Sequence, residues 1–199
     1  MLTKSLRKLT LTSHVTSSVG WLGAVVAYLA VAGLGLTSQN EQLARAAYLM
    51  TDVIIRFVIV PFSFAAVLTG LVQSLGTEWG LFRHYWVATK FVLSVVATII
   101  LLIHMQAVTR MSSLAASESI ADLGTMRLQM VVHAAGGLIV LLAATVLSIY
   151  KPWGRTKYGR KKEEGADTPV RASTVVIYLL ISAAALFVLL HLFGGMRLH

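Results

Sequence analysis

Long apolar runs separated by short polar stretches dominate the chain. Five runs stand out, at about residues 11–36, 50–75, 84–108, 126–150 and 173–193. A helix needs ~20 mostly apolar residues to cross a bilayer. Lipid offers the backbone no hydrogen-bond partner, so each run is expected to satisfy its own amides as a helix. The pattern therefore predicts an all-α, polytopic membrane protein forming one domain over residues 1–199. It reads as a bundle of five transmembrane helices, a four-helix core plus a C-terminal fifth. Residues 37–48 and 109–125 read as surface connections with a helical turn or an interfacial helix. Residues 76–83 read as a tight turn with two glycines, and Pro61 is expected to kink the second helix.

Charge changes the picture by adding direction. The longest hydrophilic stretch, residues 151–172, carries Lys151, Arg155, Lys157, Arg160, Lys161, Lys162 and Arg171 against Glu163, Glu164 and Asp167. Lys4, Arg7 and Lys8 precede the first run. Basic residues favour the cytoplasmic side. The expectation is a multi-pass protein of a bacterial cytoplasmic membrane, with its N-terminus and the basic loop inside and its C-terminus outside. The start also has the look of an export signal: a basic segment, an apolar run and Ala30-Val31-Ala32. The run is long for that role and carries a regular stripe of His14, Trp21 and Tyr28, so it is read as a retained helix.

Composition agrees. The chain is 57% hydrophobic and 13% charged, about half the charge of an ordinary soluble domain. Its net charge of +9 is explained by basic residues at the ends of apolar runs, which excludes nucleic acid as the reason for it. Cysteine is absent, so disulfide frameworks and Cys-ligated clusters are excluded. Neither a nucleophile–base triad nor a nucleotide fingerprint is visible.

Ionisable side chains within apolar helices are costly, which makes each a candidate functional group. At ~1.5 Å rise per residue, they sort into two layers. An inner layer holds His14 and Lys90. An outer layer holds His104, His133 and the Asp52/Arg56 pair at i,i+4 spacing, with His191 of the fifth run. Two imidazoles on neighbouring helices at one depth could ligate a haem iron, and an arginine such as Arg56 could hold a propionate. Imidazoles also suit copper, and Met105, Met111, Met126 and Met130 gather near the same depth. The plainer alternatives are hydrogen bonds between helices for the histidines, snorkelling for Lys90, and interfacial anchoring for Trp79, Trp86 and Trp153. His84 and His199 read as interfacial or tail residues.

Two segments carry a family resemblance: S-H-V-T-S-S-V-G-W-L-G-A from Ser13, and T-G-L-V-Q-S-L-G-T-E-W-G-L-F-R-H-Y-W-V-A-T-K from Thr69. They resemble an uncharacterised family of bacterial integral membrane proteins. That family is distantly similar to the copper-resistance protein D membrane domain and to HemJ, the haem-containing protoporphyrinogen oxidase. HemJ-type proteins carry an important histidine early in helix one and a lysine in helix three, the places of His14 and Lys90. The resemblance implies a shared fold and a haem b site.

These readings lead to three expectations. The first is a haem b-binding membrane protein, an electron-transfer or oxidase-like component. Its cofactor would be held by His14, Lys90, His104, His133, Arg56 and Trp21, with His14, His104 and His133 as metal ligands. The second is a copper or small-solute transporter. The third is a non-catalytic membrane subunit bound to a partner protein. Lipid bilayer, and a redox partner or a second copy of the chain, are the partners these imply.

Overall fold

The computed structural model describes residues 2–76, 80–117, 124–152, 154 and 156. Among them the regular structure is helical throughout. Four helices are long and apolar enough to span a membrane: α1 (Lys4–Thr37), α2 (Glu41–Gly76), α3 (Tyr85–Ser117) and α4 (Gly124–Tyr150). The expected fifth helix, most of the basic loop, His191, His199, Trp79 and Trp153 lie outside the described residues.

Each helix packs against the next in the chain, and α4 closes the ring against α1. Short connections make neighbours antiparallel, giving an up-and-down four-helix bundle. The end of the bundle that holds the N-terminus is called the near end below, and the opposite end the far end. Large apolar side chains are turned outward along every helix, among them Val19, Phe57, Leu68, Val92, Ile103 and Ile149. Exposed apolar belts of this kind mark a surface that meets lipid rather than water. Inward, α1 buries Trp21, Val25, Tyr28 and Ala32, which pack with Tyr48, Ile55 and Ile59 of α2 and with Val108, Met111 and Met130.

The helices run further than the apolar runs suggest. At 34, 36, 33 and 27 residues they exceed the ~20 needed to span. Residues 41–48, expected as part of a surface connection, are the first turns of α2. Residues 109–117, expected as an interfacial segment, continue α3. These polar turns stay helical because they support each other: the Arg45 guanidinium donates to the Ala115 carbonyl at 2.6 Å. Side-chain caps start the first two helices, with Thr3 accepting from the Leu6 amide and Asn40 from the Leu43 amide.

Pro61 acts through the hydrogen-bond ladder. It cannot donate to the carbonyl one turn earlier. The preceding turn, Ile55–Ile59, is π-helical, and the Val60 amide bonds to the Ile55 carbonyl. α2 thus passes the proline as one helix with a single wide turn. At the near end, the Leu2 amide donates to the Gly76 carbonyl at 3.3 Å. The Thr156 amide donates to the Arg83 carbonyl at 2.9 Å, and its hydroxyl to the Phe82 carbonyl. These bonds tie the chain beyond α4 back onto the α2–α3 turn.

Candidate functional site

The near-end interior holds a cavity of about 370 Å³ reached by all four helices. That volume lies within the roughly 300–1,000 Å³ of ligand sites. His14 of α1 and Lys90 of α3 meet there across the bundle, with Nζ of Lys90 3.3 Å from Nε2 of His14. The other ring nitrogen, Nδ1, lies 3.1 Å from the Ala66 carbonyl and 3.2 Å from the Thr69 hydroxyl oxygen of α2. A carbonyl only accepts, so Nδ1 carries the hydrogen and donates. The Thr69 hydroxyl spends its own hydrogen on the Ala65 carbonyl, which leaves its lone pair for His14. Nε2 then presents its lone pair and accepts from the Lys90 ammonium. A backbone carbonyl on Nδ1 is the arrangement that orients metal-binding histidines through Nε2.

Gly70 makes room for this ring. A Cβ there would stand 3.0 Å from Cε1 of His14. The apolar walls include Leu11, Val15, Val67, Val87 and Phe91, and polar positions are Gln73, Ser74, Ser94 and Ser148. Three cations face the space: Arg7, Lys90 and Lys151. Among the described residues no carboxylate lines it. The two described carboxylates in the chain, Glu41 and Asp52, both lie in the far half of α2.

Lys151 reaches the cavity from an unusual backbone position. Its φ is +46°, and its amide donates to the Leu147 carbonyl at 3.1 Å, the left-handed cap that ends α4. Glycine is the usual residue in such a cap, and a side chain there costs about 1–2 kcal/mol. Its Nζ lies 5.9 Å from the centre of the Trp86 ring, over its face.

The far-end cations are engaged differently. Arg56 holds Asp52 through Nε at 2.8 and 2.9 Å and donates through Nη2 to Thr109 of α3 at 2.6 Å. Thr109 in turn donates to Asp52 at 3.1 Å. The i,i+4 pair expected from sequence is therefore present, and it clasps α2 to α3. Arg127, on the first turn of α4, donates to the Gly35 and Leu36 carbonyls at 2.8 and 2.9 Å and to the Tyr48 hydroxyl at 3.2 Å. It caps the C-terminal carbonyls of α1, as basic side chains do. Arg45 pairs with Glu41 at 2.7 Å while capping α3.

His104 and His133 meet between the near and far ends. Their rings stack with centroids 4.1 Å apart and planes within 8°. A metal binds imidazole in the ring plane, and two nearly parallel stacked planes share no such point. Nδ1 of His133 is 2.8 Å from the Gln129 carbonyl of its own helix. The adjoining cavity is about 70 Å³ and almost wholly apolar, with Trp21 and Tyr28 on its wall. Met111 and Met130 are fully buried core residues, and Met130 accepts from the Tyr28 hydroxyl at 3.4 Å. Among the described residues no group of three or more His, Cys, Asp or Glu side chains is placed to hold a metal.

Of the residues singled out in the sequence, the structure joins His14 to Lys90 and His104 to His133. It keeps Arg56 apart from both, on its clasp, and places Trp21 in the core, on the wall of the mid-bundle cavity that His104 and His133 also line. In the sequence Arg7 and Lys151 stand out only as topology signals. Arg7 was legible: it stands seven residues before His14 and so extends the His14, Trp21, Tyr28 stripe. Lys151 was not, since its reach depends on the left-handed cap.

Compared with known proteins, the chain matches no family model, no curated protein and no solved structure. What the near-end cavity can bind is therefore read from its own chemistry.

Proposed function

We propose that this chain is a haem b-binding membrane protein whose near-end cavity would hold the cofactor, with His14 the residue that would ligate its iron. One observation carries the proposal: Nε2 of His14 faces a membrane cavity while Nδ1 is held by the Ala66 carbonyl. The surroundings fit the group. Haem is a flat apolar macrocycle with two carboxylate arms, and the cavity has aliphatic and aromatic walls with Arg7, Lys90 and Lys151 among them. Gly70 opens space beside the ring. For Nε2 to reach iron, the Lys90 ammonium must turn to another acceptor, and a propionate is one. When bound, haem supplies one-electron redox chemistry. The chain's own part is to orient the imidazole through Ala66, exclude water with its apolar walls and hold the carboxylates. An electron-transfer or oxidase-like role in a bacterial cytoplasmic membrane follows from this chemistry, with the near end facing the cytoplasm on the count of basic residues. The copper reading has less support, because the stacked His104/His133 pair offers no shared in-plane position.

Protein purified in detergent from cells supplied with haem precursor is expected to show a Soret band that moves on reduction with dithionite. Colourless protein that also fails to take up added haem would end the proposal.

A further inference from the structure

We infer that Lys90 is a nucleophilic lysine that forms an imine with an apolar aldehyde or ketone, and that His14 takes the proton that frees its amine. The inference goes beyond the haem proposal and does not rest on it. Both use the near-end cavity, and iron would need the same Nε2 lone pair that takes the lysine proton.

Three observations converge. The first is the direction of the hydrogen bonds. Nδ1 of His14 is 3.1 Å from the Ala66 carbonyl, which can only accept, so the ring hydrogen stays on Nδ1. Nε2 therefore keeps a lone pair, and Nζ of Lys90 lies 3.3 Å from it. A nucleophile beside a base that a third group orients is the arrangement that activates the nucleophile. The second is the setting of the lysine. Lys90 is partly buried, and the walls of its cavity include Leu11, Val15, Val67 and Phe91. Lysines set among apolar groups are the ones that serve as Schiff-base nucleophiles. Among the described residues no carboxylate lines the space. The ammonium thus meets a base that can take its proton, rather than a counter-ion that would hold the charge in place. The third is room for a guest. The cavity is about 370 Å³, within the roughly 300–1,000 Å³ of small-molecule sites. Leu11 and Val15 line it and are also exposed on α1, which gives an apolar molecule a way in from the bilayer. The step balances within the site. Nε2 takes a proton from the ammonium, and the amine lone pair forms a C–N bond as the carbonyl π bond opens. The imidazolium then protonates the carbinolamine oxygen, which leaves as water while the C=N bond forms. Ammonium and carbonyl thus become a protonated imine and water.

The test traps the imine. Full-length protein is purified in detergent from cells given no haem precursor, then treated with decanal and cyanoborohydride, which reduces an imine to a stable secondary amine. Peptide mass mapping locates the decyl group. Lys90 is expected to be labelled about a hundredfold faster than the exposed Lys4, Lys8 and Lys151, the low end of what a positioned base contributes. Glyoxylate, an aldehyde with a charged body, is expected to label Lys4 and Lys8 ahead of Lys90. In His14→Ala the labelling of Lys90 by decanal should fall about a hundredfold, and free imidazole should restore it, which it would not do for a merely structural loss. The wild-type comparison among the lysines needs no variant to fold. The inference is overturned if decanal labels Lys90 no faster than Lys4, Lys8 and Lys151, or if glyoxylate shows the same preference for Lys90. It is also overturned if His14→Ala, still helical by circular dichroism, labels at the wild-type rate, or loses labelling that imidazole does not restore. Haem added before decanal separates this inference from the haem proposal. Slower labelling of Lys90 supports both guests in one cavity, whereas unchanged labelling removes haem from the cavity and keeps the imine.

Discussion

Cations at the two ends of the bundle are put to opposite uses. At the far end each of Arg45, Arg56 and Arg127 donates to a neighbouring helix, to a carbonyl at a helix C-terminus or to a hydroxyl, and Arg45 and Arg56 also hold a carboxylate one turn away on α2. At the near end Arg7, Lys90 and Lys151 point into one cavity, and Lys90 meets an imidazole rather than an acid. The difference teaches how to separate structural from functional charge in a membrane protein. An intramembrane cation is costly wherever it sits. Where the fold supplies an acceptor, the cation stabilises the helices.

Substitutions can break this contrast, and the largest effect is expected on cofactor retention. His14→Ala should abolish the Soret band, because it removes an imidazole anchored to face the cavity, while circular dichroism still reports a helical fold. Next is Asp52→Ala, which leaves Arg56 without its carboxylate beside α3. The loss should be about 2–3 kcal/mol of stability, at the low end for breaking a membrane ion pair because the Arg56 side chain is 40% exposed. Urea or SDS unfolding of the pure protein measures it. Arg127→Met should follow at about 1–2 kcal/mol, since it strips the caps from α1 while its apolar stem is retained. Arg7→Gln should be the smallest, within about 0.5 kcal/mol of wild type in zwitterionic detergent. A loss at Arg7 as large as that at Arg127 would mean that the near-end cations are also structural, and the contrast would disappear.

Gly70→Ala sharpens the comparison without touching charge. Its Cβ would crowd Cε1 of His14 at 3.0 Å, so the ring must give by a few tenths of an ångström. Haem affinity should fall several-fold with little change in unfolding. The corresponding change at Gly137, whose added Cβ would meet nothing within 4 Å, should alter neither.

Much of the fold was legible because lipid enforces simple rules. Four of the apolar runs became the spans of α1 to α4, and the seven-residue spacing of His14, Trp21 and Tyr28 marked the inward face of α1. The helix ends were not legible, because residues 41–48 and 109–117 carry polar side chains whose helicity depends on contact between α2 and α3. Local pairing was legible at Asp52 and Arg56, four residues apart, but not their shared partner Thr109, which is distant in the chain. Depth placed His14 beside Lys90 and His104 beside His133. It could not say how the rings would be turned, and ring orientation is what separates the two pairs. One presents a lone pair to a cavity; the other presents stacked faces.

The most direct test of this account is a comparison of reduced and oxidised optical spectra for wild type, His14→Ala and His133→Ala, purified alike from cells supplied with haem precursor. The account predicts a Soret band in wild type and His133→Ala and none in His14→Ala. A band that survives in His14→Ala and vanishes in His133→Ala would contradict it and move the cofactor to the middle of the bundle.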